Sequence, residues 1–288
     1  MNIGKIKVQS IVSNAYASVL TEVIGAPKSL FVAGELPSER IPTVAIIGTR
    51  RPSSYGVEQT ERFAGALAKA GVIVVSGLAL GVDSIAHKAA LDNGGITLAV
   101  LANGLHRIYP ATHIGLAEQI VQRGGAIISE YELGEEPRKY SFLARNRIVS
   151  GISDAVLVVE AADRSGTFST VTHAISQNKE VFAIPGPLTS LQSAGPNRLI
   201  QQGAHVALEP NDILEIIAPH LIGKPTQLSL AMSPLEQLIL ELIAKGIRDG
   251  EELLAESGVE ASEFLQAMTM MELSGTIKAL GNNKWTNG

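Results

Sequence analysis

Short apolar runs without polar alternation recur along the first two thirds of the chain: Val44–Ile47, Val72–Val75, Ile96–Leu101, Ala126–Ser129, Ala155–Glu160 and Val181–Ile184. They are rich in Val, Ile and Ala, as strands buried on both faces of a parallel sheet are. Helical patterns fall between them, over Gly56–Ala70, Asp83–Leu91, Ile114–Arg123, Phe168–Gln177 and Asn197–Gln202, and a short last strand is expected at His205–Leu208. Strands alternating with helices predict β-α-β units with right-handed crossovers and an α/β, Rossmann-like sheet. Residues 1–42 are weakly patterned. Tyr16–Gly34 predicts a short helix and a connector packed on the main domain, and no chemistry is assigned to it.

The small-residue turns all follow strands: Gly48–Arg51, Ser76–Gly81, Asn103–Gly104, Ser165–Thr167 and Gly186. In an open parallel sheet the carboxyl ends of the strands share one edge, where ligands bind. These turns are therefore expected to converge on a single rim. The stretch from Arg145 to Thr167 anchors that expectation. A strand, the turn Ser165-Gly166-Thr167 and a helix start make an anion site, because free N–H groups and the helix dipole point outward there.

Beyond a linker expected at Lys224–Ser233, helical patterns cover Leu235–Ala244, Gly250–Ser257 and Ser262–Leu273. Gly275–Leu280 and Lys284-Trp285 suit a small β-wing. The domains are thus expected at 1–42 (connector), 43–224 (Rossmann-like) and 225–288 (winged helix). From Pro225 onward there are four Lys/Arg against nine Asp/Glu, whereas a winged helix that reads DNA is normally basic. This one is expected to contact protein, or nothing.

The 288 residues have a net charge of −5, so any nucleic-acid contact must rest on a local basic patch. Cysteine is absent, which excludes disulfides and thiolate metal sites and fits a reducing cytoplasm. No apolar run approaches 18 residues, so no membrane span is expected. The start of the chain does not read as a signal peptide.

Several constellations carry chemistry. Gly48-Thr49-Arg50-Arg51 suits a phosphate turn with a guanidinium fork, or a plain glycine turn with solvated arginines. Ser76-Gly77-x-x-x-Gly81-x-Asp83 matches neither the dinucleotide nor the Walker A spacing, yet its small residues allow close approach of an anion. Asp83 and His87, four apart, are expected to form a structural pair on one helix face, in preference to metal binding or catalysis. Arg145-Asn146-Arg147, with Phe142, Lys139 and Tyr140 nearby, combines phosphate neutralisation with rings for base stacking, as single-stranded nucleic acid requires. The alternative is a solvated loop with structural salt bridges. Glu160 suits a general base or an anchor for Arg145 or Arg147. Neither a Gly-x-Ser-x-Gly elbow nor a His-Glu-x-x-His grouping is present, so hydrolase chemistry and a zinc site are not expected.

Gly48-Thr49-Arg50, Ser76-Gly77-Leu78-Ala79-x-Gly81-x-Asp83-x-x-Ala86-His87, Tyr109-Pro110, Ser129-Glu130, Arg145-Asn146-Arg147-Ile148, Ser165-Gly166-Thr167 and Ala183-Ile184-Pro185-Gly186 occur in that order between about residues 43 and 210. Together they resemble the DprA/Smf DNA-processing family. The resemblance implies a non-enzymatic, cofactor-free protein that binds single-stranded DNA and forms a homodimer. It further implies loading of a RecA-type recombinase in natural transformation. It carries the DNA pocket onto Gly48, Thr49, Arg50, Ser76, Gly77, Gly81, Phe142, Arg145, Asn146, Arg147, Ser165, Gly166 and Thr167, with no catalytic or metal residue. His106, His113, Leu143 and Phe168-Ser169 depart from the family pattern around the pocket. A nucleotide-processing enzyme such as a phosphoribohydrolase is the alternative. The region around Ser165-Gly166-Thr167 lacks that group's paired glycines, and Thr170 stands where its glutamate would be.

Overall fold

The computed structural model describes residues 3–222, 233–273, 276–281 and 283–287, in two compact units divided at Ile222/Gly223. Up to Ser233, the expected linker lies outside the described residues.

In the first unit a nine-stranded sheet forms among the described residues from β1 (Ile6–Ser10), β2 (Ser29–Gly34), β3 (Thr43–Ile47), β4 (Ile73–Ser76), β5 (Thr97–Val100), β6 (Ala126–Ser129), β7 (Ala155–Val158), β8 (Glu180–Ala183) and β9 (His205–Val206). Their order is β1-β2-β6-β5-β4-β3-β7-β8-β9. From β6 to β9 every pairing is parallel. The central strands serve two cores by simple alternation. Ala45 and Ile47 of β3, Val75 of β4 and Val156 and Val158 of β7 enter one core; Val44, Ile46, Val74 and Leu157 enter the other. Successive side chains of a strand point to opposite faces, so an unbroken apolar run fills both.

On the first face, the helices α4 (Lys139–Gly151) and α5 (Thr167–Ser176) contribute Ile148, Val149, Val171 and Ala174. On the second, α1 (Ser54–Lys69), α2 (Val82–Asp92) and α7 (Pro210–Ile217) contribute Phe63, Leu67, Val82, Ala86 and Ile213. The remaining α-helices described in the unit are α3 (Ile114–Gln122) and α6 (Ala194–Gln201), and the short helix expected near Tyr16 is a 3-10 helix over Ala17–Glu22.

Residues 1–42 are more than the connector expected from sequence. β2 pairs antiparallel with β6 and β1 with β2, so the sheet is mixed at this edge. Leu30 and Val32 alternate into the same core as β3, and Tyr16 is fully buried with its hydroxyl on Thr43 Oγ1 at 2.9 Å. The signal was weak because β1 is an edge strand whose side chains are mostly exposed, leaving no apolar run to read.

The second unit holds α8 (Pro234–Ala244), α9 (Gly250–Ser257), α10 (Ala261–Leu273) and the antiparallel pair β10 (Ile277–Gly281) and β11 (Lys284–Asn287). Ile239, Leu242, Leu253, Phe264 and Met268 form its core. Ser233 caps α8 in a reciprocal box with Glu236, and Asp249 caps α9 through the N–H groups of Glu251 and Glu252. The wing is tied to the helices by Trp285 N–H on Arg248 O and Gly250 N–H on Asn283 O, both at 2.8 Å. Three helices followed by a hairpin is the winged-helix arrangement.

Candidate nucleic-acid interface

The chain lays down β3, β4, β5 and β6 in one direction across the sheet, then returns to add β7 on the other side of β3. Such a reversal leaves a crevice at the carboxyl ends of the two strands where the direction changes. Here the crevice lies between the turns after β3 and β7. A cavity of about 600 Å³ opens there.

Close backbone packing builds its walls. Thr49 N–H donates to Glu160 O at 2.7 Å, which ties the β3 turn to the end of β7. A Cβ on Gly48 would lie 2.6 Å from Val82 Cγ2, and Gly81, at φ +78°, presses on the backbone of Thr49 and Arg50. Any side chain at either glycine would separate the first two turns. On the β7 side, Thr167 Oγ1 donates to Gly48 O at 3.3 Å and shares a 2.8 Å hydrogen bond with Ser165 Oγ. Ser165 Oγ also accepts the Thr167 N–H at the start of α5.

The fourth wall is one face of α4. Lys139, Phe142, Leu143, Asn146 and Val149 line the cavity at spacings of three and four, so they share a single helix stripe. Phe142 meets Tyr109 with ring centroids 5.6 Å apart and planes tilted by 55°, and the two rings flank a smaller recess shared with Arg50 and Leu80. The side chains of Arg50 and Lys139 are exposed and have no acidic partner among the described residues.

Arg145 also lines the cavity but is buried. Its Nη1 donates to Gly77 O at 2.9 Å and to Val100 O, and its Nε to Asn146 Oδ1 at 3.2 Å. Burial pushes its pKa down and the Asp83 carboxylate opposes that. Burial likewise pushes Asp83 up, against Arg145 and the N–H groups of Ala79 and Gly77.

Ten of the thirteen residues expected from sequence come together at this cavity: Gly48, Thr49, Arg50, Gly77, Phe142, Arg145, Asn146, Ser165, Gly166 and Thr167. Three do not line it. Ser76 is buried at the end of β4 with its hydroxyl on Ile46 O at 2.7 Å. Gly81 stands behind the Thr49–Arg50 turn. Arg147 follows Arg145 by two positions, about 200° around a helix, and points away. It makes a two-pronged ion pair with Glu130 at 2.6 Å and donates to Gly25 O. The alternative reading, a solvated loop with structural salt bridges, fails on the loop, since these residues lie in α4, and holds for the Arg147–Glu130 ion pair. The polar density reflects Arg145 buried on one side of the helix and Arg147 half-buried on the other.

The Asp83–His87 pair does not form. Asp83 turns to the amides of Gly77 and Ala79, while His87 Nδ1 meets Thr97 Oγ1 at 2.6 Å. Thr97 gives its only hydroxyl proton to Val74 O, so His87 Nδ1 is the donor and the buried Nε2 is left as an unpartnered acceptor. Burial pushes the His87 pKa down to about 3. Glu160 anchors neither arginine: its carboxylate accepts the Ser53 N–H at 2.9 Å and the Ser53 hydroxyl at 2.6 Å, fixing the start of α1.

Asn103–Gly104 and Gly186 also end strands on this edge but are turned to other tasks. Asn103 Nδ2 binds the carbonyls of Gly104 and Arg107, and the Gly186 backbone pairs with the Asn197 amide. Among the departures noted above, His113 Nδ1–H donates to Leu78 O at 2.8 Å, and His106 Nδ1 accepts the Gly134 N–H at 2.9 Å. Tyr109 was not among the expected site residues, and Lys139 was expected only as a cation near the Arg145–Arg147 cluster. The i, i+3, i+7 spacing of Lys139, Phe142 and Asn146 was the available signal.

Among the described residues no group of three or more His, Cys, Asp or Glu could hold a metal ion, and no helix is long and apolar enough to cross a membrane. The family model described as DNA recombination-mediator protein A matches residues 7–218, and the DprA winged helix domain matches residues 223–283. The chain is 39 % identical over 278 residues to protein Smf of Escherichia coli, covering 93 % of this chain and 74 % of that protein. It is 40 % identical over 205 residues to the DNA processing protein DprA of Streptococcus pneumoniae, covering 71 % of this chain and 72 % of that protein. A solved structure of DNA processing protein A from Helicobacter pylori, which describes that protein's single-stranded DNA binding mode, superposes with a TM-score of 0.62 at 36 % identity, covering 68 % of this chain and 90 % of that one. With both of its units matched, the chain belongs to the DprA/Smf family of DNA-processing proteins.

Proposed function

We propose that the cavity between β3, β7 and α4 holds the backbone and one base of single-stranded DNA. The observation that carries this reading is the meeting of two unpaired cations, Arg50 and Lys139, with the Tyr109–Phe142 ring pair at one cavity. Cations neutralise phosphate, and a ring face accepts any base that is not already stacked, so binding is sequence-tolerant and favours single strands. The Arg50 guanidinium and the Asn146 amide add donors around the same space, while the N–H groups of Thr49 and Thr167 are held within the protein by Glu160 O and Ser165 Oγ. The single-stranded DNA binding of the Helicobacter pylori relative supports the reading.

The binding is read as non-enzymatic: among the described residues Asp83 is the only carboxylate lining the cavity, its Oδ2 is held by the Gly77 and Ala79 amides, and no histidine lines it. A labelled oligonucleotide incubated with the protein returns unchanged on a denaturing gel; shortened product would refute this part.

The reading extends to delivery of the strand to a RecA-type recombinase by a homodimer, in the cytoplasm. The family description as a recombination mediator supports the first. The edge strand β9, with its Val206 and the following Leu208 open to solvent, supports self-association. RecA filament formation on pre-bound oligonucleotide, and molecular mass against concentration, test the two.

The central test is fluorescence anisotropy with oligo-dT and with a duplex of equal length at two salt concentrations. Tighter, salt-sensitive binding of oligo-dT is expected; equal affinity for both, or no response to salt, would remove the proposal.

A further inference from the structure

The turn Gly77–Ala79 leads from β4 into α2, an arrangement that in anion-binding loops leaves N–H groups aimed at a ligand. Here those groups are already taken. Asp83 Oδ2 accepts the N–H of Gly77 at 3.0 Å and of Ala79 at 3.3 Å. From the opposite side Arg145 Nη1 holds the Gly77 carbonyl at 2.9 Å, and His113 Nδ1–H holds the Leu78 carbonyl at 2.8 Å. Between them Leu78 is fully buried with a left-handed φ of +57°, a conformation a leucine keeps only under outside constraint. On the Arg145 side the turn is tightly packed: a Cβ on Gly77 would lie 2.5 Å from Arg145 Nη2.

We propose that Asp83, opposed by Arg145, is a positioning residue for the strand-binding cavity: its carboxylate fills the amide nest that a phosphate would otherwise take, and makes residues 77–79 a fixed wall. This rests on the single-stranded DNA reading above. Two buried opposite charges grip one turn from its N–H side and its carbonyl side. The phosphate is thereby left to the cationic side chains of Arg50 and Lys139, beside the Gly48–Arg50 and Ser165–Thr167 turns whose own Thr49 and Thr167 N–H groups are held by Glu160 O and Ser165 Oγ. The raised pKa of Asp83 is in keeping with burial, and the amide donors and Arg145 hold its charged form in place.

The test uses the full chain with Asp83→Ala, Asp83→Asn and Gly77→Ala, and Arg50→Ala for contrast. Two readouts are taken: oligo-dT affinity against salt, and amide hydrogen exchange at Gly77 and Ala79 without DNA. In Asp83→Ala, exchange at both amides accelerates and affinity falls about tenfold, as loss of buried hydrogen bonds implies. The slope of log affinity against log salt stays that of the wild type. Asp83→Asn, which keeps an acceptor oxygen, recovers most of both. Gly77→Ala alters no charge and weakens binding in the same way, because its methyl group meets the Arg145 guanidinium. Arg50→Ala instead reduces the slope by about 0.7, the value for one phosphate contact on a single strand.

Tighter binding by Asp83→Ala, or new competition by inorganic phosphate, would show that the nest is a phosphate seat and overturn the inference. Unchanged exchange in Asp83→Ala, or wild-type affinity in Gly77→Ala, would overturn it too. A wild-type protein that fails to bind oligo-dT refutes the DNA reading alone, while the exchange measurement still decides the clamp.

Discussion

The two units differ in charge in a way that inverts what their folds suggest. From Pro225 onward there are four Lys/Arg and nine Asp/Glu, which leaves the first 224 residues with nineteen of each. The winged-helix unit, whose shape suits a DNA groove, has no Lys or Arg between Arg248 and Lys278, the span of α9 and α10. Along that span Glu251, Glu252, Glu256, Glu260, Glu263 and Glu272 are exposed, and Leu265 and Met270 are open to solvent on α10. Phosphate would meet carboxylates there. The sheet unit has no net charge, yet it leaves Arg50 and Lys139 unpaired at one cavity while Arg147 is paired with Glu130. The lesson is that total charge and fold type say little about a polyanion site. What matters is whether cations are left without partners where the backbone makes room.

The strongest way to break this comparison is to remove both free cations. Arg50→Ala with Lys139→Ala is expected to weaken oligo-dT binding about 100-fold at low salt, since each charge-assisted contact contributes about 1.5 kcal/mol. The salt slope should fall by about 0.7 for each cation removed. An affinity within a factor of about two of wild type would mean the strand binds elsewhere.

Acid stability separates the units next. The folded pKa of His87, about 3, lies below the ordinary 6.5, so the unfolded chain takes up the proton first as pH falls. The contribution is complete above pH 6.5 and is lost towards pH 3, at up to about 1.4 kcal/mol per pH unit. The region from Pro225 onward has no histidine. The stability of the sheet unit should therefore fall between pH 6.5 and 5 in the wild type, and His87→Gln should lose most of that dependence, His173 with its lowered pKa retaining a smaller part. Denaturant titrations at the two pH values check it.

Stacking gives a smaller effect. Phe142→Ala should weaken oligo-dT binding about tenfold with the salt slope unchanged, because a ring contributes contact but no counterion release. A changed slope would reassign the α4 face. Smallest of all, removing residues 223–288 should alter oligo-dT affinity by less than about twofold, given the acidic surface of that unit. A large loss would place DNA contacts on the winged helix and undo the contrast.

Much of the sheet was legible because burial on two faces leaves a local mark. The strands from β3 to β8 match the apolar runs to within about two residues, the ordinary uncertainty of element ends, and Ala126–Ser129 coincides with β6. The winged helix was equally legible, since its helices carry capping residues and apolar stripes. The edge strand β1 and its neighbour β2 were not: β1 pairs with β2 on one side only and its Val8 faces solvent, so no apolar run marks it or the antiparallel pairing of β2 with β6. Nor was the rotation of α4. Arg145 and Arg147 look alike in a list of cations, and only the phase of the helix sends one beneath the Gly77 turn and the other to Glu130.

By itself, then, the sequence determined which segments are strands, which turns end them on one edge, and which family motifs those turns carry. These are properties of neighbours along the chain. The tertiary structure decided which donors remain free: Asp83 filling the nest of one turn, Glu160 holding Ser53, and Arg50 left open at the crevice. A buried polar group takes the nearest partner in space, and that partner can be more than a hundred residues away, as Ser53 is from Glu160.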